Sequence, residues 1–318
     1  MRSRSINVQI NLDSIRTAAA SIRRKTGVRL IAVIKADAYG LGARRVADAL
    51  ADIADDFAYF NLAEAREVGR PGIVLGPPEG APADYRELNL RPSIGTIADA
   101  QRFAGNAVAL AIDVGMQRFG APPEIIDELL RITAAREAHA HTVTPEGVAA
   151  LSRAAAGRIA FLHAAASSLL DDPSAWLHAV RPGVALYRGA MRVSTRLHSV
   201  RETPGASVGY SGFHAARVGI ILAGYCNLLR PAPVMMNGRK QELLEVGMNS
   251  SFVSVDSADR IGDEVVLLGG GISECELAGR LNCREHEVLC RYGSMGQRSY
   301  VLSGVVAPAA REAVLADA

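Results

Sequence analysis

The sequence has little that would direct it to a membrane or to nucleic acid. Residues 1–5 are polar and no apolar core follows them, so no secretory leader is expected. No apolar run is long and uncharged enough to cross a bilayer; the nearest, Val218 to Tyr225, has only strand length. Neither sign of charge dominates. The 35 Lys and Arg stand against 33 Asp and Glu, which argues against a nucleic-acid surface and a polybasic membrane anchor. The only cysteines are Cys226, Cys275, Cys283 and Cys290, and no two form a CxxC pair. Three of them lie near His286, but the spacing does not suit zinc. The expectation is therefore no metal and mostly buried free thiols in a reducing cytoplasm. No GxGxxG follows the first strand of the alternating region, so the usual mark of an open dinucleotide-binding sheet is missing. Internal repeats and low-complexity stretches are absent too. What remains is a soluble, cytoplasmic chain long enough for one large domain and a smaller one.

Residues 6–12 alternate, with Ile6, Val8, Ile10 and Leu12 on one face, as in a half-buried strand. Asp13 can cap a helix that runs to about Lys25 and ends at Gly27. Apolar runs then alternate with helical patterns. Strands are expected at 28–34, 57–62, 72–76, 91–94, 107–112, 138–142, 158–162 and 179–184. Helices are expected at 43–54, 63–69, 97–104, 123–136 and 145–156. Eight strands with intervening helices predict an α/β fold, a closed (β/α)8 TIM-type barrel, over residues 12–195. After about 195 the rhythm changes to short strands at 207–225, 231–236, 242–247, 251–256, 264–268 and 298–306, with a helical patch at 272–281. Asn237-Gly238 marks a hairpin. A smaller β-rich C-terminal domain is therefore expected at 196–318, joined by the strand in 1–11.

The stretch that carries most chemistry is Val33 to Gly42. Lys35 closes the apolar run Leu30 to Ile34, where barrel strands open onto an active-site mouth. Apolar walls strip hydration from an amine and lower its pKa, which leaves a neutral nucleophile suited to an aldehyde such as that of pyridoxal phosphate. Taken alone, the segment fits a strand-end lysine reaching into solvent better. The longer string Ala32-Val33-Ile34-Lys35-Ala36-Asp37-Ala38-Tyr39-Gly40, with Gly42, resembles the cofactor-lysine motif of the alanine racemase family. Further strings match that family in the same order over nearly the whole chain.

The resemblance implies a role for each. In Asp113-Val114-Gly115-Met116-Gln117-Arg118-Phe119-Gly120, Arg118 would face the substrate carboxylate, which a guanidinium fork can grip with two hydrogen bonds. Ala111 stands where the family often has a lysine that becomes carbamylated and steadies that arginine. His141, at the end of the sixth strand, would support the cofactor. In His163-Ala164-Ala165-Ala166-Ser167-Ser168, Ser167 would bind phosphate, with Ala166 in place of the family's asparagine. In Val180 to Tyr187, Gly183 and Val184 would offer N–H groups to the phosphate, with Tyr39 beside them. Arg181 would donate to the pyridine nitrogen, which keeps that nitrogen unprotonated and limits side reactions. In Ser207 to Gly212, Tyr210 would be the second base opposite Lys35, lent by the other subunit of a homodimer. Positive charge from Arg181 and His141 would lower its pKa, and Ser211 replaces a glycine. The Met248 backbone would help orient the carboxylate. Asn249 replaces an acid, and Ser294 falls where a tyrosine narrowing the entrance is expected. The 138–158 region is shorter than usual.

The implied activity is racemisation of an amino acid with pyridoxal 5'-phosphate, by a Lys/Tyr two-base scheme. Another PLP-dependent reaction (epimerisation or decarboxylation) and a non-catalytic PLP-binding protein are the alternatives. Retention of Arg181 and Tyr210 speaks against decarboxylation, and a β-rich domain bearing Tyr210 speaks against a carrier.

Overall fold

The computed structural model describes residues 3–302 and 305–308. Parts of the expected terminal segments, residues 1–2, 303–304 and 309–318, lie outside them. The chain forms two units: Ile15–Tyr187, and Met1–Ser14 joined to Arg188–Ala318.

The first unit is a closed barrel of eight parallel strands: Arg29–Val33, Asp56–Tyr59, Gly72–Val74, Leu90–Ile94, Ala109–Ala111, Glu137–Thr142, Phe161–Ala165 and Ala179–Val180. Arg29 beside Ala179 and Leu30 beside Val180 close the ring. Both faces of a barrel strand are covered, which is why Arg29–Val33 after its first residue, and Gly72–Val74 and Ala109–Ala111 throughout, are apolar, whereas Glu137–Thr142 carries buried polar side chains. Ile31, Val33, Ala58, Ile73, Ala109 and Ala179 form one packed cluster. Around the strands run Ala43–Leu50, Leu62–Val68, Pro82–Glu87, Ile97–Arg102, Ile126–Thr133 and Pro145–Ala155. In Ala43–Leu50 the buried residues Ala43, Val46, Ala47 and Leu50 recur at helical spacing. Val46 and Leu50 each contribute roughly 1.5–3 kcal/mol by burial. Asn61, Thr96 and Thr144 cap their helices by accepting N–H bonds from Glu64, Asp99 and Gly147, each bond contributing about 1 kcal/mol.

Several boundaries differ from expectation. The seventh strand is three residues further on, because Arg158 is tied to Ala155 at the preceding helix end. The eighth stops at Val180, since Pro182 has no N–H for a ladder and Val184–Tyr187 turns into a helix. Pro82–Glu87 was not expected; proline starts it and the Asp84 carboxylate accepts from the Ala81 N–H. Leu12–Thr26 is capped by Asn11, not Asp13: the Asn11 side chain accepts from the Ser14 N–H at 3.0 Å.

The second unit is a nine-stranded, mostly antiparallel sheet. Its order is Arg217–Ile221, Ser251–Ser254, Arg239–Val246, Pro233–Met236, Glu264–Leu268, Met191–Glu202, Ser3–Asn11, Gly296–Leu302 and Val305–Pro308. Met191–Glu202 also pairs with Arg217–Ile221, which curls six strands into an antiparallel barrel. Ser3–Asn11 pairs antiparallel with Met191–Glu202 and parallel with Gly296–Leu302. Asn237 and Gly238 form the hairpin turn, both at positive φ (49° and 74°), as a two-residue I′ turn requires. The expected boundary at 195/196 falls inside Met191–Glu202. Its charges at Arg192, Arg196 and Arg201 hide a strand that buries Met191, Val193 and Leu197. Glu285–Gly293 is a further helix that the sequence reading left out.

Candidate active site

Lys35 stands at the end of the first barrel strand, half-buried, with its Nζ 5.9 Å from the centroid of the Phe60 ring. The backbone beyond it is unusual. Ala36, Asp37, Ala38 and Tyr39 have φ of 53°, 55°, 51° and 57°, so four consecutive non-glycine residues make a left-handed turn. It is closed by Ala38 N–H to Ile34 O (2.8 Å), Gly40 N–H to Ala36 O (2.9 Å) and Gly42 N–H to Asp37 O (2.9 Å). Two carboxylates brace it: Glu64 accepts from the Ala36 N–H at 2.8 Å, and Asp37 accepts from the Ala43 N–H at 2.7 Å. Each left-handed L-residue costs roughly 1–2 kcal/mol, and such strain concentrates at functional sites.

The turn delivers Tyr39 to the end of the eighth strand. A Cβ on Gly183 would lie 2.2 Å from the Tyr39 hydroxyl, so that approach requires glycine. Ser167 opens a short 3-10 turn after the seventh strand, and its Oγ accepts from the Gly183 and Ala185 N–H groups, each at 3.1 Å. Tyr187 is fully buried below; its ring centroid is 5.2 Å from that of Tyr39, and its hydroxyl donates to Val33 O at 2.8 Å. Ser167, Gly183, Val184 and Tyr39 thus lie together at one barrel end, with backbone N–H groups and hydroxyls of the kind suited to an anion, the Gly183 N–H being held by Ser167 here. These residues fit a phosphate-bearing cofactor.

Arg181 is 4 % exposed. Its Nη1 lies 2.9 Å from His163 Nδ1, and its Nη2 donates to the carbonyls of Ala140 and Ala164. Burial lowers its pKa to about 10, with the Glu137 charge opposing, so it remains a cation at neutral pH. His141 keeps an exposed edge, yet its pKa falls to about 4. Partial enclosure of the ring is the larger cause, followed by the positive charges of Arg181, Arg118 and Lys35. His141 is therefore neutral and supplies no positive charge, which corrects the expected Arg181–His141 source. The cations around it are Arg181, Arg118 and Lys35.

Arg118 is exposed on a loop ordered from within. The Asp113 carboxylate is partly desolvated, which raises its pKa, but the N–H groups of Gly115, Gln117, Met116 and Arg118 more than reverse this. Gly120 is obligatory here, because a Cβ would lie 2.5 Å from the Asp113 nitrogen. The Arg118 guanidinium lies 5.0 Å from the Phe119 centroid, and Phe119 lies 6.2 Å from Phe60. Ala111 is buried in the strand leading to this loop.

Sequence reading missed the polar groups behind Arg181. His163 Nε2 lies 2.9 Å from Glu137 Oε1, and Arg91 Nε lies 2.5 Å from Glu137 Oε2 while its Nη2 pairs with Asp56. His139 stacks on His163 with centroids 5.4 Å apart. The Ser93 hydroxyl donates to Val74 O, so it accepts from His139 Nε2, leaving His139 Nδ1 as a lone pair without a protein partner. Burial, then the charge of Arg181, holds both histidines neutral. Histidines at both ends of an i, i+2 spacing in 139–141, facing another at the same height of the next strand, were the available signal.

Tyr210 and Met248 belong to the second unit. Tyr210 sits at the tip of a hairpin between Ser207–Val208 and Phe213–His214 and is 98 % exposed. A packed strand tyrosine is thereby excluded in this chain. Glu245, also missed, pins the tip: it accepts from the N–H groups of Tyr210 (3.0 Å) and Ser211 (2.7 Å) and from the Ser211 hydroxyl (2.6 Å). Those bonds, the Ser211 hydroxyl first, lower its pKa. Met248 is 57 % exposed, and its carbonyl accepts from the Cys226 N–H at 3.0 Å. Asn249 Oδ1 accepts from the Cys226 thiol at 2.9 Å. Ser294 ends Glu285–Gly293 and donates to Cys290 O. The thiols differ from expectation: Cys226 and Cys275 are exposed, and Cys283 and Cys290 half-buried. None lies on a strand: Cys226 is in a 3-10 turn, Cys275 and Cys290 are on helices, and Cys283 is in the connection between those helices. Among the described residues, no helix is long and apolar enough to cross a membrane.

A lysine, an arginine and an anion cradle gathered at the strand-end mouth of a parallel barrel, followed by a β-rich unit, define a two-unit barrel protein with a lysine-centred site. The family models agree in extent: that of the alanine racemase N-terminal domain matches residues 10–191, and that of the C-terminal domain residues 190–300. The chain belongs to the alanine racemase family. It is 27% identical to the alanine racemase of Neisseria gonorrhoeae, covering 90% of this chain and 97% of that one. With that of Rhodospirillum rubrum it shares 28%, covering 92% and 94%. Its fold matches the biosynthetic alanine racemase of Pseudomonas aeruginosa with a TM-score of 0.84 at 26% identity, over 94% of this chain and all of that one.

Proposed function

We propose that this chain is a PLP-dependent amino-acid racemase that works as a homodimer in the cytoplasm. The observation that carries the reading is the cradle of Tyr39, Ser167 and Gly183 at the same barrel end as Lys35. When bound there, pyridoxal 5'-phosphate supplies an electron sink that acidifies the α-proton of an amino acid. Ser167, Tyr39 and the N–H groups of Gly183 and Val184 hold its phosphate. Lys35 holds it by the ε-amine. Arg181 donates to its ring nitrogen and, being a cation committed as a donor, leaves that nitrogen without a proton. His141 lines the same corner as a neutral ring.

Arg118 grips the substrate carboxylate from its ordered loop, and the Met248 backbone completes that grip. Lys35 moves the α-proton on one face and Tyr210 on the other. The near-complete exposure of Tyr210 supports a tyrosine lent to a second copy. By the family resemblance Asn249 and Ser294 would fall on the substrate side, and the smaller Ser294 would admit a side chain larger than that of alanine.

The test is incubation with single L-amino acids in deuterated water. The expected result is D-product carrying α-deuterium, together with a yellow absorbance that Lys35→Ala removes. Carbon dioxide release without D-product would indicate decarboxylation, and absence of turnover with any amino acid would indicate a PLP-binding protein without catalysis.

A further inference from the structure

The barrel interior contains a line of charged and polar side chains of which the proposed racemisation uses only the last, Arg181. It begins where the strands begin, at a pocket of about 300 Å³ lined by Asp55, Asp56, Arg91, Arg136 and Glu137 among others. From there Asp56 pairs with Arg91, Arg91 with Glu137 at 2.5 Å, Glu137 with His163 at 2.9 Å, and His163 with Arg181 at 2.9 Å. Arg181 lies just past the last residue of the eighth strand, so the line runs from one end of the barrel to the other. Two carboxylates and two guanidinium groups balance, with a neutral histidine between them. Removing one member would leave an unpaired charge in the interior, a costly state.

The chemistry of the donors fixes the proton positions. A carboxylate can only accept, and a guanidinium can only donate. His163 stands between one of each, so it must carry its proton on Nε2, toward Glu137, and a lone pair on Nδ1, toward Arg181. With the opposite tautomer, an N–H would face an N–H at 2.9 Å. The groups facing His163 are Glu137 from its own sheet neighbour, His139 stacked on one side, Phe161 with its centroid 5.6 Å away, and Arg181, Arg91 and His178. Among them only Glu137 can accept the Nε2 proton at hydrogen-bond distance.

We propose that Glu137 is a positioning residue that fixes the His163 tautomer and thereby the orientation and donor role of Arg181. This rests on the reading of Arg181 as the partner of the cofactor nitrogen. A guanidinium held from behind by a lone pair cannot rotate away from that nitrogen. Without the carboxylate, His163 can turn its proton toward Arg181 and push it aside.

The experiment uses the full-length protein, wild type and Glu137→Gln, with and without added pyridoxal phosphate. Nitrogen-15 NMR of the histidine side chains reads the tautomer directly and needs no turnover. Wild-type His163 should be neutral with the proton on Nε2. In Glu137→Gln, whose amide can donate as well as accept, the Nδ1–H form should appear. The pH midpoint of the bound cofactor's absorbance should shift, and kcat should fall about tenfold with KM within about twofold. Glu137→Asp should restore part of the kcat. Wild-type His163 protonated on Nδ1, or on both nitrogens, would overturn the proposal. So would a Glu137→Gln protein unchanged in tautomer, absorbance and kcat. If Glu137→Gln does not fold, Glu137→Asp decides: its shorter carboxylate should lower kcat and shift the absorbance midpoint in part, and a Glu137→Asp protein identical to wild type in tautomer, absorbance and kcat would overturn the proposal. If the protein binds no pyridoxal phosphate, the racemase reading fails while the tautomer result still stands or falls by itself.

Discussion

The two units carry their candidate groups in opposite ways. In the barrel, Arg181 and His163 are buried and interlocked, and Ser167, Gly183 and Tyr39 constrain one another by contact. In the second unit, Tyr210 and Met248 are exposed and held only through their backbone neighbours, by Glu245 and by the Gly224–Cys226 turn. The barrel groups are thus ordered by one another, whereas Tyr210 and Met248 present side chains that face solvent in this chain. Substitutions in the barrel should therefore change cofactor binding, and substitutions around Tyr210 should change turnover alone.

Lys35→Ala should have the largest effect, a loss of turnover by about a thousandfold or more with loss of the yellow band, measured by racemisation assay and absorbance. Tyr210→Phe should keep the band but lower turnover about 10²–10⁴-fold, the usual range for a lost proton-transfer group. If it lowered cofactor affinity instead, the contrast between the units would break. Gly183→Ala should weaken cofactor binding about ten- to a hundredfold, because the new methyl group displaces Tyr39 at a cost of about 1–3 kcal/mol. Equilibrium dialysis against pyridoxal phosphate would measure it. Glu245→Ala should release the Tyr210 hairpin and lower kcat about three- to tenfold through lost orientation. The melting temperature should barely move, since this tip is exposed.

On a separate scale, that of stability against pH, the contribution comes from the barrel. His139 and His163 have folded pKa values depressed by burial and by Arg181. The unfolded chain takes up protons on them below about pH 6.5, and the folded chain does not. Their contribution is complete above that pH and declines as pH falls toward the folded values, by about 1.4 kcal/mol per pH unit for each ring. Denaturant melts between about pH 8 and 5 should show a decline beginning near 6.5, and His139→Phe should make it shallower.

The sequence made the barrel legible because several of its buried parallel strands are apolar, and runs such as Leu30 to Ile34 mark themselves. Met191–Glu202 was hidden for the converse reason: a strand with one open face alternates apolar residues with arginines and looks like a surface segment. Residues at strand ends, Lys35, Arg118, Ser167 and Arg181, were legible because each sits in a string of fixed local spacing. Glu137 and Glu245 were not, because each acts on a partner 26 or about 35 positions away, across the barrel or across a sheet. Local pattern carries no trace of such pairings. The left-handed backbone after Lys35 was equally invisible, since nothing in Ala36-Asp37-Ala38-Tyr39 supplies the glycine that such φ values favour.

That turn has a consequence for synthesis. Residues of the mirror-image hand adopt positive φ without strain, so a chain assembled chemically with D-alanine at 36 and 38 would settle into the same backbone more readily than the natural one. In most proteins inverting two stereocentres beside a functional amine would unfold the segment; here it would relax the corner on which Lys35 is mounted.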